Sequence, residues 1–310
     1  MSDGRFRLVT RSDFDGLACA VLLKEMDMID EIKFVHPKDM QDGTILITEN
    51  DITTNLPYVK GVHLAFDHHS SETIRLGDIP ANHIIVPDAP SAACVVYDYY
   101  RDTAAFPDVF DELLVAVDKC DAAQFSREDT LNPEGWVLLN FIMDPRTGLG
   151  RYKDFRVSNY QLMMELIDYC RSHTIDEILA LPDVKERVDL YQEQHENFQE
   201  QVKRCVETHG NLALLDMREE DIIYAGNRFV VYAMFPETNI SIHLIWGLNR
   251  LNMVFAVGKS IFNRTSNTNI GELMLKYGGG GHRNAGTCQV DIDDAERVQQ
   301  ELIDQINADG

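Results

Sequence analysis

The sequence predicts an α/β protein, with an N-terminal, mainly parallel, doubly wound sheet joined by a long helix to a smaller α/β domain. Three observations predict it. Short apolar runs alternate with helical patterns through the first half, as a parallel sheet with crossover helices requires. The charged stretch from Val184 to His209 contains neither Gly nor Pro, which fits a connecting helix with much of its surface solvated. Beyond Gly210, strand-like runs follow one another closely. At 310 residues the chain also exceeds what one hydrophobic core ordinarily supports. The expected division is 1–183, a connecting helix over 184–209, and 210–310.

The elements follow in order. Arg5–Thr10 reads as a short buried strand, and LACAVLLKEM from Leu17 as the helix after it. Further strands are expected at Ile32–His36, Asp51–Asn55 and Val62–Phe66, and helices at SAACVVYDYYR and VFDELLVAV. In the second half NLALLDM, RFVVYAMF, ISIHLIWGL and LNMVFAVG read as four strands. A helix over Gly271–Tyr277, a glycine cluster, the strand TCQVDI and a final helix complete the domain.

Composition excludes several classes. No stretch approaches the ~20 apolar residues that cross a bilayer, and the N-terminus lacks the apolar run of a signal peptide. The six cysteines are scattered without a Cys-x-x-Cys pair, so a zinc knuckle is not expected and a reducing, cytoplasmic setting is. Net charge is −23, from 28 basic and 51 acidic residues. Such a field repels a long polyanion, because nucleic-acid affinity comes largely from neutralised phosphates. A small anionic substrate, held locally beside a cation, remains compatible.

Four clusters carry chemistry. Asp13-Phe14-Asp15-Gly16 sits where the first strand gives way to the first helix. Alternate carboxylates there can converge on a hard cation such as Mn²⁺ or Mg²⁺, although Asp-x-Asp-Gly also makes an ordinary turn or helix cap. Asp67-His68-His69 ends an apolar strand, with a carboxylate able to fix an imidazole tautomer. Asp118 and Asp121 end the run LLVAV, and Asp121 reads most simply as a cap or surface charge. Gly278–Gly281, followed by His282 and Arg283, is too glycine-rich for a compact domain unless the backbone must approach something closely.

Together these motifs resemble the DHH family of phosphoesterases, named for Asp-His-His, with its associated C-terminal domain marked by GGGGH. The two signatures stand in the expected order, about 210 residues apart, and the resemblance covers nearly the whole chain. It implies a metal-dependent phosphodiesterase or phosphatase with one or two divalent ions, Mn²⁺ first and Mg²⁺ second. Asp13, Asp15, Asp67, His68 and Asp118 would be ligands, with Asp121 the alternative to Asp118. His69 would face the scissile phosphate. Gly279, Gly280, Gly281, His282, Arg283 and Arg264 would hold the rest of the substrate. Two positions depart from the pattern: Arg11 stands where many relatives carry His or Asp, and Asn55, with Asp51 the poorer candidate, aligns best with an aspartate that bridges two metals. Arginine cannot ligate a cation, but its fixed charge can hold a phosphate.

The implied substrates are short: linear dinucleotides such as pGpG, nanoRNA or a mononucleotide. A membrane partner is not expected, and a homodimer is compatible with the sequence. Two other readings stay open, a polyphosphate or pyrophosphate hydrolase and a nucleotide-binding protein that has lost catalysis.

Overall fold

The computed structural model describes residues 4–152 and 154–310, which form two compact units. One takes the chain up to Phe125, Pro133–Pro145 and Gly150–Val188; the other takes Ser126–Asn132, Arg146–Leu149 and Asp189–Gly310.

The first unit holds β1 (Phe6–Arg11), α1 (Phe14–Glu25), β2 (Ile29–Val35), α2 (Pro37–Gln41), β3 (Asp51–Thr54), β4 (Leu64–Asp67), α3 (Ser70–Leu76), β5 (His83–Ile85), α4 (Ala92–Tyr100) and α5 (Val109–Asp121). The helix α6 (Arg127–Leu131) belongs to the second unit, and α7 (Gly135–Met143), α8 (Asn159–Tyr169) and α9 (Ile175–Ala180) to the first. All five strands are parallel, in the order β2-β1-β3-β4-β5. The chain leaves β1 toward one edge and later returns to build toward the other. Loops at the carboxyl ends of β1 and β3 therefore diverge, and the crevice between them is where open parallel sheets bind ligands. The short strand β5 was not expected from its sequence.

Burial explains why α1 reads as apolar on every side. Every residue from Phe14 to Leu23 is buried, in a helix packed against β1, α4, α5 and α8. Its entry is tight. A Cβ on Gly16 would lie 2.0 Å from the Arg11 carbonyl oxygen and 2.8 Å from Thr10 Oγ1.

The helix α10 (Pro182–Cys205) ends earlier than expected. Val206–His209 is a strand instead, β6, antiparallel to β7 (Leu212–Asp216). His209 pairs with Leu212, so Gly210 and Asn211 form a two-residue turn, with Gly210 at φ +61°. The second unit continues with α11 (Val230–Met234), β8 (Ile240–Trp246), β9 (Met253–Lys259), α12 (Ile270–Leu275), β10 (Gly280–His282), β11 (Ala285–Val290) and α13 (Ala295–Asp309). Its six-stranded sheet runs β10-β11-β9-β8-β7-β6 and is antiparallel except where β7 meets β8. Leu212, Ile242, Phe255 and Val257 of the sheet share one core with Ile270 and Met274 of α12 and with Val298 and Leu302 of α13.

RFVVYAMF is not a strand; it contains α11. A parallel pair cannot be joined by a hairpin, so the β7–β8 connection must cross over, and α11 lies in that crossover. Asn227 Oδ1 accepts the Phe229 N–H at 2.9 Å at its start. Tyr232 then fixes the helix to the sheet, its hydroxyl donating to the Gly258 carbonyl at 2.7 Å and lying 2.8 Å from Ser241 Oγ. Tertiary packing overrides the β propensity of Val230 and Val231.

Gly16→Ala is expected to lower the unfolding free energy by about 1–3 kcal/mol, the usual range for a side chain forced into a filled space. Urea denaturation checks this, and an unchanged midpoint would contradict the tight β1–α1 turn.

Candidate metal centre

The carboxyl ends of β1, β3 and β4 bring Asp13, Asp15, Asn55, Asp67 and His68 to one edge of the first sheet. Asp13 caps α1, its Oδ1 accepting the Gly16 N–H at 2.9 Å. Asp15 is buried and engaged elsewhere. Its two oxygens accept the N–H groups of Ala92 (3.0 Å) and Ala93 (2.8 Å), the first residues of α4. Those donors have no partner inside the helix, and the positive end of its dipole favours a carboxylate there. Even so, burial pushes the Asp15 carboxyl well above the usual carboxylate range, and the charges of Asp121 and Asp13 push it further.

His68 closes the group. Its Nδ1 lies 3.1 Å from the Ala89 carbonyl oxygen, so Nδ1 carries the proton and Nε2 presents a lone pair. That Nε2 lies 3.2 Å from Asp121 Oδ2 and 3.9 Å from Asp15 Oδ2. A neutral ring with its lone pair against two carboxylates is repelled. Burial opposes a charge on His68, but Asp121 and Asp15 outweigh it and push its pKa up to about 9.

One ligand atom each from Asp15, His68 and Asp121 lie within 4.8 Å of one another. Atoms about 2.0–2.2 Å from a shared ion have that spacing. In the neutral ring the His68 Nε2 lone pair has only carboxylates against it and no donor, and Asp67 Oδ2 is buried without a hydrogen-bond partner. Orphaned acceptors beside a raised carboxyl fit a cation, and two carboxylates with one imidazole fit a hard or borderline divalent ion.

Asp118 is placed otherwise. Its Oδ1 accepts the Ser91 hydroxyl at 2.6 Å, and that hydroxyl in turn accepts the Cys94 N–H at 3.0 Å to cap α4. Burial raises the Asp118 carboxyl while the Ser91 bond lowers it, the rise prevailing. Thus Asp121, three residues on, is the member of the pair that reaches Asp15 and His68.

Asp67 is wholly buried, and its Oδ1 gathers the His68 N–H (2.9 Å), the His69 N–H (3.3 Å) and His69 Nδ1 (2.7 Å). The ring proton of His69 is thereby fixed on Nδ1, leaving Nε2 available on a partly exposed side chain. Arg11 pairs with Asp13 through Nε at 2.9 Å. Asn55 is buried at φ +54° and donates from Nδ2 to Asp13 Oδ1 and Oδ2 at 3.2 and 3.4 Å.

In the second unit the glycine run makes a hairpin. Gly280–His282 pairs antiparallel with β11 around a turn at Arg283 and Asn284. A Cβ on Gly279 would meet the Thr287 carbonyl oxygen at 2.2 Å, and one on Gly281 the Ala285 oxygen at 2.3 Å. A Cβ on Gly271 of α12 would lie 2.8 Å from the Gly281 oxygen. The glycines thus let the hairpin close on itself and on α12. His282 and Arg283 are exposed at its tip. Arg264 is exposed and donates from Nε to the Ile261 carbonyl of its own turn at 3.0 Å.

Sequence reasoning missed several neighbours of these residues. Ser91 and the Ala92 and Ala93 amides hold the acidic group, and a serine before an apolar helix was the available signal. Lys259, at the end of β9, donates its N–H to the Asn284 carbonyl at 2.9 Å and its Nζ to the Ser266 carbonyl at 2.9 Å. Burial and the neighbouring Arg283 charge both lower its pKa, which marks a local basic pair.

No family model matches the chain, and no curated protein does. Among solved structures it is similar to PggH, a pGpG-specific phosphodiesterase from Vibrio cholerae, at 61% identity and a TM-score of 0.90, over 99% of this chain and 100% of that one. RecJ from Thermus thermophilus, in complex with Mn²⁺, matches with a TM-score of 0.54 at 14% identity, over 97% of this chain and 52% of that one. CDC45 from Entamoeba histolytica matches with a TM-score of 0.51 at 7% identity, over 97% and 95%. The last two likenesses concern the fold.

The raised groups give a signed pH dependence. In chelator-treated protein, His68 contributes stability that is present below its ordinary 6.5 and lost as pH climbs through about 9. Asp15, raised as a carboxyl, is also favoured in its protonated form and acts in the same direction. The thermal midpoint is expected to fall over this window, less steeply in His68→Asn; a midpoint that rises would contradict the buried-charge reading.

Proposed function

The chain belongs to the DHH family of phosphoesterases, and we propose that it is the hydrolase of the linear dinucleotide pGpG, acting with a divalent cation held by Asp15, His68 and Asp121. The observation that carries the reaction is the convergence of those three donors around orphaned buried acceptors. The substrate rests on the 61% identity with a pGpG-specific phosphodiesterase over the full length of both chains.

When bound, the cation supplies an activated water and neutralises charge on the phosphoryl oxygens, with Mn²⁺ the ion of choice and Mg²⁺ second. The remaining chemistry belongs to side chains. Asp67 holds the His69 ring proton on Nδ1, so Nε2 offers a lone pair that can take a proton and, once protonated, donate to a phosphate oxygen or to the leaving group. Arg11 offers a fixed cation to the same phosphate. In the second unit we assign His282, Arg283 and Lys259 to a phosphate or base of the substrate, with the Gly279–Gly281 backbone keeping the hairpin closed and Arg264 at its margin.

The net charge of −23 supports a short substrate over a long one. No helix among the described residues is long and apolar enough to cross a membrane, and no disulfide joins the cysteines among the described residues.

Purified protein with Mn²⁺ is expected to convert pGpG to two molecules of GMP, and to leave cyclic di-GMP, longer RNA and polyphosphate at least ~100-fold less consumed. Chromatography of the products checks this. Asp67→Ala is expected to lower turnover by about 10–100-fold, as loss of a buried orienting carboxylate does. Cleavage of polyphosphate in preference to pGpG would instead favour the inorganic-phosphate reading.

A further inference from the structure

Asp13 lies close enough to Asp15 to raise its carboxyl, yet its own oxygens are already engaged. Oδ1 accepts from the Gly16 N–H at 2.9 Å and from Asn55 Nδ2 at 3.2 Å. Oδ2 pairs with Arg11 Nε at 2.9 Å and with the same amide at 3.4 Å. Each oxygen thus has one close donor and shares the Asn55 amide, so the group is neutralised and held by protein donors.

Asn55 strengthens the point. It is buried, sits in the left-handed region that Asn tolerates, and its main-chain N–H is spent on the Phe66 carbonyl at 3.1 Å. A carboxylate there would stand against Asp13 and require a cation between them. The amide instead donates to Asp13 from Nδ2, so no like charges meet there, and its own Oδ1 is a neutral acceptor, buried without a hydrogen-bond partner.

We propose that the centre takes a single divalent ion, on Asp15, His68 and Asp121, and that Arg11, fixed by Asp13 and Asn55, supplies in protein form the positive charge that a second metal supplies in two-metal phosphoesterases. Two cations about 3.5–4 Å apart commonly clamp the oxygens in such displacements. Arg11 has five donors, of which Nε is engaged by Asp13, and its side chain is 39% exposed. The two terminal amino groups form a planar fork that matches two phosphate oxygens. Asp13 is then a positioning residue, not a ligand. This inference rests on the hydrolytic reading of the same site.

The test is Mn²⁺ stoichiometry on the full chain without substrate, by equilibrium dialysis with elemental analysis and by electron paramagnetic resonance. Wild type is expected to bind one ion per chain with the signal of an isolated Mn²⁺. Arg11→Ala is expected to bind one ion with affinity within about threefold, while its affinity for GMP falls at least ~30-fold and Arg11→Lys recovers only part. A paired variant, R11A with N55D, is expected to take up a second ion with an exchange-coupled signal. Two tightly bound, coupled ions in wild type would overturn the inference, as would an Arg11→Ala protein that loses the ion but keeps its GMP affinity. Either result would leave pGpG hydrolysis standing, whereas one bound ion with no turnover of pGpG would remove the hydrolytic reading and not the stoichiometry.

Discussion

Asp15 is a carboxylate buried within reach of two others, and much of the first unit is arranged around that charge. Burying an anion beside Asp13 and Asp121 is unfavourable by several kcal/mol unless donors or a cation compensate it. The fold supplies donors first: α4 is placed so that its free N-terminal amides meet Asp15, and Ser91 caps that helix while engaging Asp118. It then supplies His68, whose tautomer is set by the Ala89 carbonyl. What remains is a lone pair facing carboxylates, an arrangement that is stable with a proton or a metal ion in it. The feature that strains the site therefore also defines its ligand.

The parallel order β2-β1-β3-β4-β5 underlies this arrangement. It carries the loops after β1, β3 and β4 to one edge, while α1 buries every side of itself to hold the Asp13–Gly16 turn. Gly16 has no room for a Cβ, so the turn has one geometry. In the second unit glycine plays a similar part at a different place. Gly279 and Gly281 serve close backbone packing within the hairpin, Gly271 of α12 lies against the Gly281 carbonyl, and the tip presents His282 and Arg283. Gly279 and Gly281 thus let the hairpin close, and two charged side chains stand at its tip.

Much of this was legible in the sequence. Alternating strand and helix patterns announce the parallel sheet, and Asp13-Phe14-Asp15-Gly16 with Asp67-His68-His69 announce the acidic edge, because strand ends and glycine turns leave local signatures. The choice between Asp118 and Asp121 leaves no such trace. They lie three residues apart on one helix, and the choice is made by where α5 meets Ser91, a contact distant in sequence. The same holds for α11, whose β-branched run becomes helical because the parallel β7–β8 pair demands a crossover. Val206–His209 reads as helix because its charge matches what precedes it; the Gly210–Asn211 turn and the pairing with β7 decide otherwise. Lys259 lacks any motif, and only its packing beside Arg283 marks it.

The most direct test of the account is anomalous diffraction at the manganese edge from crystals grown with Mn²⁺ and GMP. The account predicts one strong peak, within bonding distance of Asp15, His68 and Asp121, with the Arg11 guanidinium against the nucleotide phosphate. A peak coordinated instead by Asp13 and Asp118, or none beside Asp15, would contradict it.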